Sequence, residues 1–326
     1  MRPPRPSEIL IKVLASGICH SDHFIHDGVW PGLQYPRISG HEIVGRIAAV
    51  GLDNLNNDQF RVGALVGVGW NGGFCRKCNY CQEGEFWACK NGDVTGFTYD
   101  GGHAEYVHVL ETAIVPFPEE ILQDYTYAEL APLCCAGVTV FDAIRTSKFS
   151  PGDICLVQGI GGLGHLAIQY AAKFGLKVYA VSSGSSKKDL ALSMGASEYI
   201  DSSTTDVVEY MQELGGAPLI ICTAPYAASI SKIIHAVAKN GMITLVSGAV
   251  DEPITVWNLP LNIARATIRG YACGYCKDTE ACIKFSMNKE VRAVVQTFKM
   301  EEFPEAYNSV MDNEARFRNV IVFPEN

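Results

Sequence analysis

No apolar run in this chain approaches the roughly 20 residues that a membrane-spanning helix needs. The longest, such as APLIICTAP from Ala217, are short and interrupted by proline, so they read as buried strands. Basic charge is also scarce: 26 Lys and Arg stand against 35 Asp and Glu, a formal net charge of -9. No basic stripe occurs, which argues against nonspecific binding to nucleic acid or to an anionic membrane. The N-terminal MRPPRPSEIL is basic but broken by proline, and no apolar segment follows it. It is not expected to act as a secretory signal. Internal repeats and low-complexity tracts are absent. A cytoplasmic setting is therefore expected, where disulfides rarely persist. The twelve cysteines then point to metal ligation or to buried apolar thiols.

What is present is ordinary for a globular protein: 48% hydrophobic and 19% charged residues in a chain of 326, enough for two domains. Two textures divide it. Residues 1 to about 125 are rich in Gly, Pro, His and Cys, with short strand-like runs such as ILIKVLAS, EIVGRIAAV and AEYVHV. From about residue 137, apolar strands alternate with helical patterns: ICLVQG, then LGHLAIQYAAKFG, then KVYAVSS. The alternation continues through PLIICTA, a helix over SISKIIHAVAKNG and a strand at MITLVSG. That spacing predicts an α/β fold with a doubly wound parallel sheet of the Rossmann type.

The first strand-to-helix turn of that half reads GIGGLG, placing Gly159, Gly161 and Gly164 in the G-x-G-x-x-G pattern, with Gly162 and Leu163 between them. The three glycines serve a tight turn, close approach of backbone to a pyrophosphate, and close helix–strand packing. The helix N-terminus beyond them offers N–H groups to the same anion. Strand before and helix after make this a dinucleotide fingerprint rather than a chance glycine cluster. An NAD site usually carries an acidic residue about 20 positions on. Here no acid occurs from His165 through Lys188. The second strand ends instead in Ser182, Ser183, Gly184, Ser185, Ser186, Lys187 and Lys188. Hydroxyls and a lysine suit a 2′-phosphate, with Ser182, Ser183 and Lys187 the leading candidates, so NADP(H) is favoured while NAD(H) stays possible. A solvated polar loop would have the same composition.

Cys75, Cys78, Cys81 and Cys89 are spaced C-x2-C-x2-C-x7-C. Four close thiolates can close a tetrahedron around a structural zinc ion, with no position left for substrate. Spacing alone also admits an iron–sulfur cluster. A second set is dispersed: Cys19 in GICHSD, His41 and Glu42 in SGHEIVG, and Cys134 and Cys135 on a helix entering the second half. Two cysteines and one histidine from this set would leave one zinc position open for catalysis.

In chain order, CHSD from Cys19, GHEIVG from Gly40, the four-cysteine loop, CAGVT from Cys135 and GIGGLG from Gly159 resemble the zinc-dependent alcohol dehydrogenases of the medium-chain dehydrogenase/reductase superfamily. The resemblance spans nearly the whole chain, and the serine-rich loop is most similar to the NADP-preferring cinnamyl-alcohol branch. It implies a GroES-like catalytic domain over residues 1–136, completed by 275–326, and a Rossmann domain over 137–274. It implies two zinc ions per chain, the catalytic one held by Cys19, His41 and Cys135. Asp22 would orient His41, Glu42 would stand near the metal, Ser21 would take the alcohol proton, and Thr139 would flank the nicotinamide. Cys134 would pack in the core, and His20 would contact cofactor phosphate or solvent. A homodimer or homotetramer is implied, with 257–276 as the candidate edge, and a small alcohol or aldehyde as substrate. Trp30, Tyr35, Trp87 and Phe97 are candidates to line an apolar pocket, though each could equally serve the core.

Two features depart from that pattern. The family's proton relay ends in a histidine five residues after the first zinc cysteine, and here that position is Phe24, with His23 and His26 out of register. The two strands that precede the segment matching ILIKVLAS in the family have no counterpart. These departures leave a second expectation standing beside the enzyme: a weak or inactive zinc- and dinucleotide-binding relative acting as sensor or scaffold. Cys19, His41 and the four-cysteine loop weigh against a zinc-independent quinone-type reductase.

Overall fold

Strand Glu8–Gly17 runs through the centre of the first sheet, and its sequence shows why. EILIKVLASG is apolar on both faces, and eight of its ten residues are buried. It pairs antiparallel with Glu42–Val50, with Tyr106–Leu110 and with Arg318–Val322. Its register with Glu42–Val50 shifts twice, at Leu10/Ile11 and at Val13/Ala15. Such bulges raise the local twist and curl a sheet. The sheet continues through Leu65–Val68 to Ile114–Pro116 on one side and through Arg318–Val322 to Val295–Phe298 on the other. Its core gathers Ile9, Ile11, Val13, Ile43, Ile47, Val66 and Val107.

A computed structural model describes residues 2–325. The chain divides into two compact units, one of residues 1–138 with 273–326 and the other of residues 139–272. The C-terminal strands thus belong to the first sheet: Arg318–Val322 pairs antiparallel with Glu8–Gly17, and Val295–Phe298 adds parallel to Arg318–Val322, which satisfies their backbone groups.

The second unit holds a six-stranded sheet, all parallel, in the order Glu198–Asp201, Lys177–Ser182, Ile154–Gln158, Ala217–Cys222, Val237–Leu245 and Thr267–Gly270. Numbered along the chain this is 3-2-1-4-5-6, the doubly wound order with its switch point beside the first strand. Leu156, Val181, Ile220, Cys222, Ile230, Ile234 and Ile243 build its core.

In the second unit, one helix-to-strand boundary differs from the sequence reading. The helix expected over SISKIIHAVAKNG ends early, as Ala227–Ile233 followed by a tight turn at Ile234–Ala236, and the strand begins at Val237. Val237 pairs with Ala217 in the sheet. Strand pairing overrides local helical preference there, and Asn240 at φ 60 absorbs the irregularity. Among the described residues, no single helix is long and apolar enough to cross a membrane.

Candidate active site and metal centres

Cys19 follows the central strand and opens the turn His20–Asp22. Glu42 begins the next strand, with His41 just before it. Gly17 lies opposite Glu42 in the antiparallel register, so the two strand ends bring Cys19 and His41 together. Cys135 comes from elsewhere. It sits at φ -128, ψ -78 between the turn Ala131–Cys134 and the helix Ala136–Arg145. The sequence expectation of both cysteines on the helix is corrected: the helix starts one residue after Cys135, whose backbone leaves the helical region. The adjacent thiols then have different surroundings. Cys134 is fully buried, its thiol 3.8 Å from the carbonyls of Ile43 and Leu130.

Donor atoms of Cys19, His41, Glu42 and Cys135 lie within 4.8 Å of one another. His41 and Glu42 are fully buried. Neither ring nitrogen of His41 and neither carboxylate oxygen of Glu42 has a hydrogen-bond partner among the described residues. Each buried polar group left so costs about 1–3 kcal/mol. Two thiols and an imidazole are a donor set that zinc takes, and these orphaned atoms fit a bound cation.

The protein groups alone set an unusual charge balance. Contact with the Cys135 thiol, then Arg318 and His41, hold Cys19 well below the usual thiol range despite burial. The Cys19 and Cys273 thiols, together with burial, push Cys135 well above it. Burial works to lower His41, yet Cys19, Asp22 and Glu42 raise it to about 9. Burial lifts Glu42 to about 7 against the pull of Arg318. Such a cluster releases protons when a divalent cation replaces them.

Asp22 is buried, with Oδ1 3.6 Å from His41 Nδ1. It also accepts N–H bonds from Cys19 at 2.8 Å and Gly40 at 3.2 Å. Ser21 is half-buried on the same short turn. His20 is half-buried and, by burial first, held below the usual imidazole range. Phe24 packs against His23, ring centroids 4.2 Å apart, while His26 turns outward to Asp27 at 2.7 Å.

The four aromatic residues named from sequence separate. Trp30 and Phe97 pack together at 5.1 Å, and both contact Trp70, whose ring lies 4.9 Å from that of His41. Tyr35 and Trp87 are exposed at 60% and 51% and lie outside that cluster.

The thiols of Cys75, Cys78, Cys81 and Cys89 also lie within 4.8 Å of one another. Cys78 is 3.6 Å from Cys81 and 3.9 Å from Cys89, too far for disulfides, whose sulfurs sit about 2.05 Å apart. Arg76 at φ 57 lets the loop curl. Backbone N–H groups of Lys77 and Cys78 hold Cys75 down to about 6, suiting it as a thiolate, whereas burial lifts Cys81 to about 12.

In the second unit, Gly159 has φ +91, and a Cβ there would stand 2.8 Å from the Ala224 Cβ. A Cβ on Gly164 would stand 2.0 Å from the Gly159 carbonyl oxygen. Both glycines are thus required by the polypeptide itself. Gly161 is different: a Cβ there would meet nothing within 4 Å. Open space over that backbone is a cradle that a pyrophosphate would fill, and it carries the fit to a dinucleotide. Gly162 and Leu163 follow, and helix Gly164–Lys173 begins. Ser182 is half-buried and Ser183 exposed, while Lys187 donates from Nζ to the Ile160 carbonyl at 3.0 Å, reaching the glycine turn. Thr139 is buried and donates to the Ala272 carbonyl at 3.3 Å.

Residues 5–119 match the family of the alcohol dehydrogenase GroES-like domain, and residues 162–288 match the zinc-binding dehydrogenase family. The chain is 39% identical over 318 residues to the alcohol dehydrogenase patD of Penicillium expansum, covering 98% of this chain and 91% of that protein. The chain belongs to the alcohol dehydrogenases of the medium-chain dehydrogenase/reductase superfamily. A probable cinnamyl alcohol dehydrogenase of Pinus taeda is 30% identical over 330 residues, covering 98% of this chain and 90% of that one. Among solved structures, a cinnamyl alcohol dehydrogenase from Sorghum bicolor aligns with TM-score 0.87 at 29% identity, covering 98% and 91% of the two chains. One from Helicobacter pylori, complexed with NADP(H), aligns with TM-score 0.85 at 27% identity and the same coverage of 98% and 91%.

Several groups at this dehydrogenase site escaped the sequence reading. Arg318 is buried with Nη2 3.5 Å from Glu42 Oε1. His103 is buried with Nε2 3.6 Å from Asp22 Oδ2. Trp70 and Cys273 join the same neighbourhood through His41 and Cys135. Asp201, at the end of the third strand of the dehydrogenase's nucleotide unit, accepts the Gly184 N–H at 2.8 Å and so anchors the serine-rich loop. The one local signal was Arg318, a charged residue directly before the apolar run NVIVF, while His103 in GGHAEY carried none.

Proposed function

We propose that this alcohol dehydrogenase is zinc-dependent and moves a hydride between NADP(H) and a primary or secondary alcohol and its aldehyde or ketone. The observation that carries the reading is the convergence of Cys19, His41 and Cys135, with neither His41 ring nitrogen hydrogen-bonded among the described residues. These three residues would hold the catalytic ion, and Cys75, Cys78, Cys81 and Cys89 a structural one. When bound, zinc supplies Lewis-acid polarisation of a substrate oxygen and the nicotinamide supplies or accepts the hydride.

The chain's own residues do the rest. Asp22 orients the imidazole of His41. Ser21 accepts the alcohol proton and passes it outward, past Phe24, through water or His23. Glu42, paired with the permanently charged Arg318, sets the electrostatics behind the ligands. Trp30, Trp70 and Phe97 present an apolar wall beside His41 that favours aromatic or allylic carbonyl substrates over small polar ones. Thr139 flanks the nicotinamide. Ser182, Ser183 and Lys187 face the ribose phosphate, with Lys187 already drawn to the glycine turn. The protein works in the cytoplasm as a homodimer or homotetramer through the sheet edge. There Thr267–Gly270 is the outermost strand, and Trp257, Leu259 and Ile263 are 77%, 65% and 67% exposed.

The test is metal analysis joined to turnover across aliphatic, aromatic and allylic aldehydes. Wild type should carry about two zinc per chain, and His41→Ala about one. The variant should lose turnover while still binding NADPH. Wild-type rates in His41→Ala would remove that residue from the mechanism.

A further inference from the structure

The Asp22 carboxylate is shared between two imidazoles. Its Oδ1 faces His41 Nδ1 at 3.6 Å, and its Oδ2 faces His103 Nε2 at the same 3.6 Å. The side chains of Asp22 and His41 are 0% exposed and that of His103 is 3% exposed. His103 arrives from the loop before Tyr106–Leu110, far from both in sequence.

On its other nitrogen, His103 Nδ1 lies 3.0 Å from the hydroxyl of Ser16, which is fully buried on the central strand. An ionised carboxylate only accepts, so the ring proton belongs on the Nε2 that faces Asp22, and Nδ1 is then the acceptor for the Ser16 hydroxyl. Nε2 has no hydrogen-bond partner among the described residues, and the Asp22 carboxylate faces it at 3.6 Å, an ion-pair distance. The ring is wedged as well. A Cβ on Gly40, which has φ +101, would stand 2.8 Å from the His103 backbone nitrogen and 2.9 Å from its ring. The Phe303 ring lies at 4.9 Å. Gly40 immediately precedes His41, so the segment carrying His41 is moulded onto His103.

We propose that His103 is a positioning residue for the candidate catalytic metal: through Nε2–H it fixes Asp22, and Asp22 in turn fixes His41. The line Ser16–His103–Asp22–His41 extends the control of the ligand's orientation from the metal site to the core of the central strand. Groups behind metal-ligating histidines typically change metal affinity about 10- to 100-fold when removed. One position further out, about 10-fold is expected.

This inference rests on the proposed zinc reading, and the experiment separates the two. Cobalt(II) is titrated into chelator-treated wild type, His103→Phe and His103→Gln, following affinity and the ligand-field bands. His103→Phe should keep the four-cysteine metal but bind cobalt at the second site about 10-fold more weakly, with shifted bands. His103→Gln, which restores an N–H near Nε2, should recover most of both. Should the Phe variant fail to fold, Ser16→Ala carries the test, with a smaller loss in the same direction because the ring tautomer is no longer held. Unchanged affinity and spectrum in the folded variants would overturn the role of His103 alone. A single metal per wild-type chain would overturn the zinc reading itself, and this proposal with it.

Discussion

Arg318 and Glu42 form a buried ion pair, Nη2 to Oε1 3.5 Å, from strands near opposite ends of the chain. Arg318 Nη1 also donates to the Ile18 carbonyl at 3.1 Å. A Cβ on Gly17 would stand 2.1 Å from Glu42 Oε2, so the carboxylate packs directly on the central strand. Neither charge has water to retreat to, and each compensates the other. The pair links the returning C-terminal strand to the segment that bears His41.

Removing one partner should therefore expose the pairing. Arg318→Met strands Glu42 in a dry site and should lower stability by about 3–5 kcal/mol. Adding Glu42→Gln should recover a large part of that loss. Denaturant unfolding of the two single variants and the double variant checks the coupling. An unchanged midpoint in Arg318→Met would show that the pair contributes nothing.

The same carboxylate predicts a pH dependence once metal is removed by chelation. Glu42 is raised from an ordinary 4.5 to about 7, chiefly by burial. A raised folded value means that the folded state holds the proton more tightly than the unfolded one. Its contribution to stability is then full below about pH 4.5 and is lost as pH rises through about 7. Glu42→Gln should flatten that part of the stability profile of the chelated protein. Parallel profiles for wild type and variant across this window would count against the assignment.

Two glycines of one motif should behave oppositely. Gly164→Ala drives a methyl into the Gly159 carbonyl and should lower the melting temperature. Gly161→Ala meets open space, so stability should hold while dinucleotide affinity falls. Thermal unfolding with and without NADPH separates the two. Equal NADPH stabilisation of wild type and Gly161→Ala would mean that the cofactor does not approach this backbone.

The four-cysteine loop is predicted to be structural. Cys78→Ser should lose one metal ion per chain and lower thermal stability, with folded molecules retaining part of their turnover. A closed tetrahedral site touches no substrate. Metal content equal to wild type would contradict the ligand assignment.

Cofactor choice is the finest of these expectations. A charge-assisted bond to a 2′-phosphate is worth about 1.5–3 kcal/mol, or roughly 10- to 150-fold in kcat/KM. Lys187→Ala should erode a preference for NADPH, and Ser182→Asp should move it towards NADH. Equal or better rates with NADH in wild type would refute the assignment.

The α/β class and the glycine turn were legible in the sequence because both rest on local patterns. Apolar strands alternate with helical periodicity, and a glycine run must sit between strand and helix to bind phosphate. The thiol spacing of Cys75 to Cys89 is equally local, since one short loop carries all four side chains. Cys19, His41 and Cys135 could be assembled only through resemblance, because no spacing rule joins three separate segments. Tertiary structure decided what local pattern cannot encode. Strand register set Gly17 opposite Glu42, and a backbone break turned Cys135 away from Cys134. Arg318 and His103 reached the site from segments distant in sequence, since a buried charge or imidazole is placed by whichever distant group compensates it. For the same reason the strand at Val237 displaced an expected helix: pairing with Ala217 satisfies backbone groups that local propensity leaves out of account.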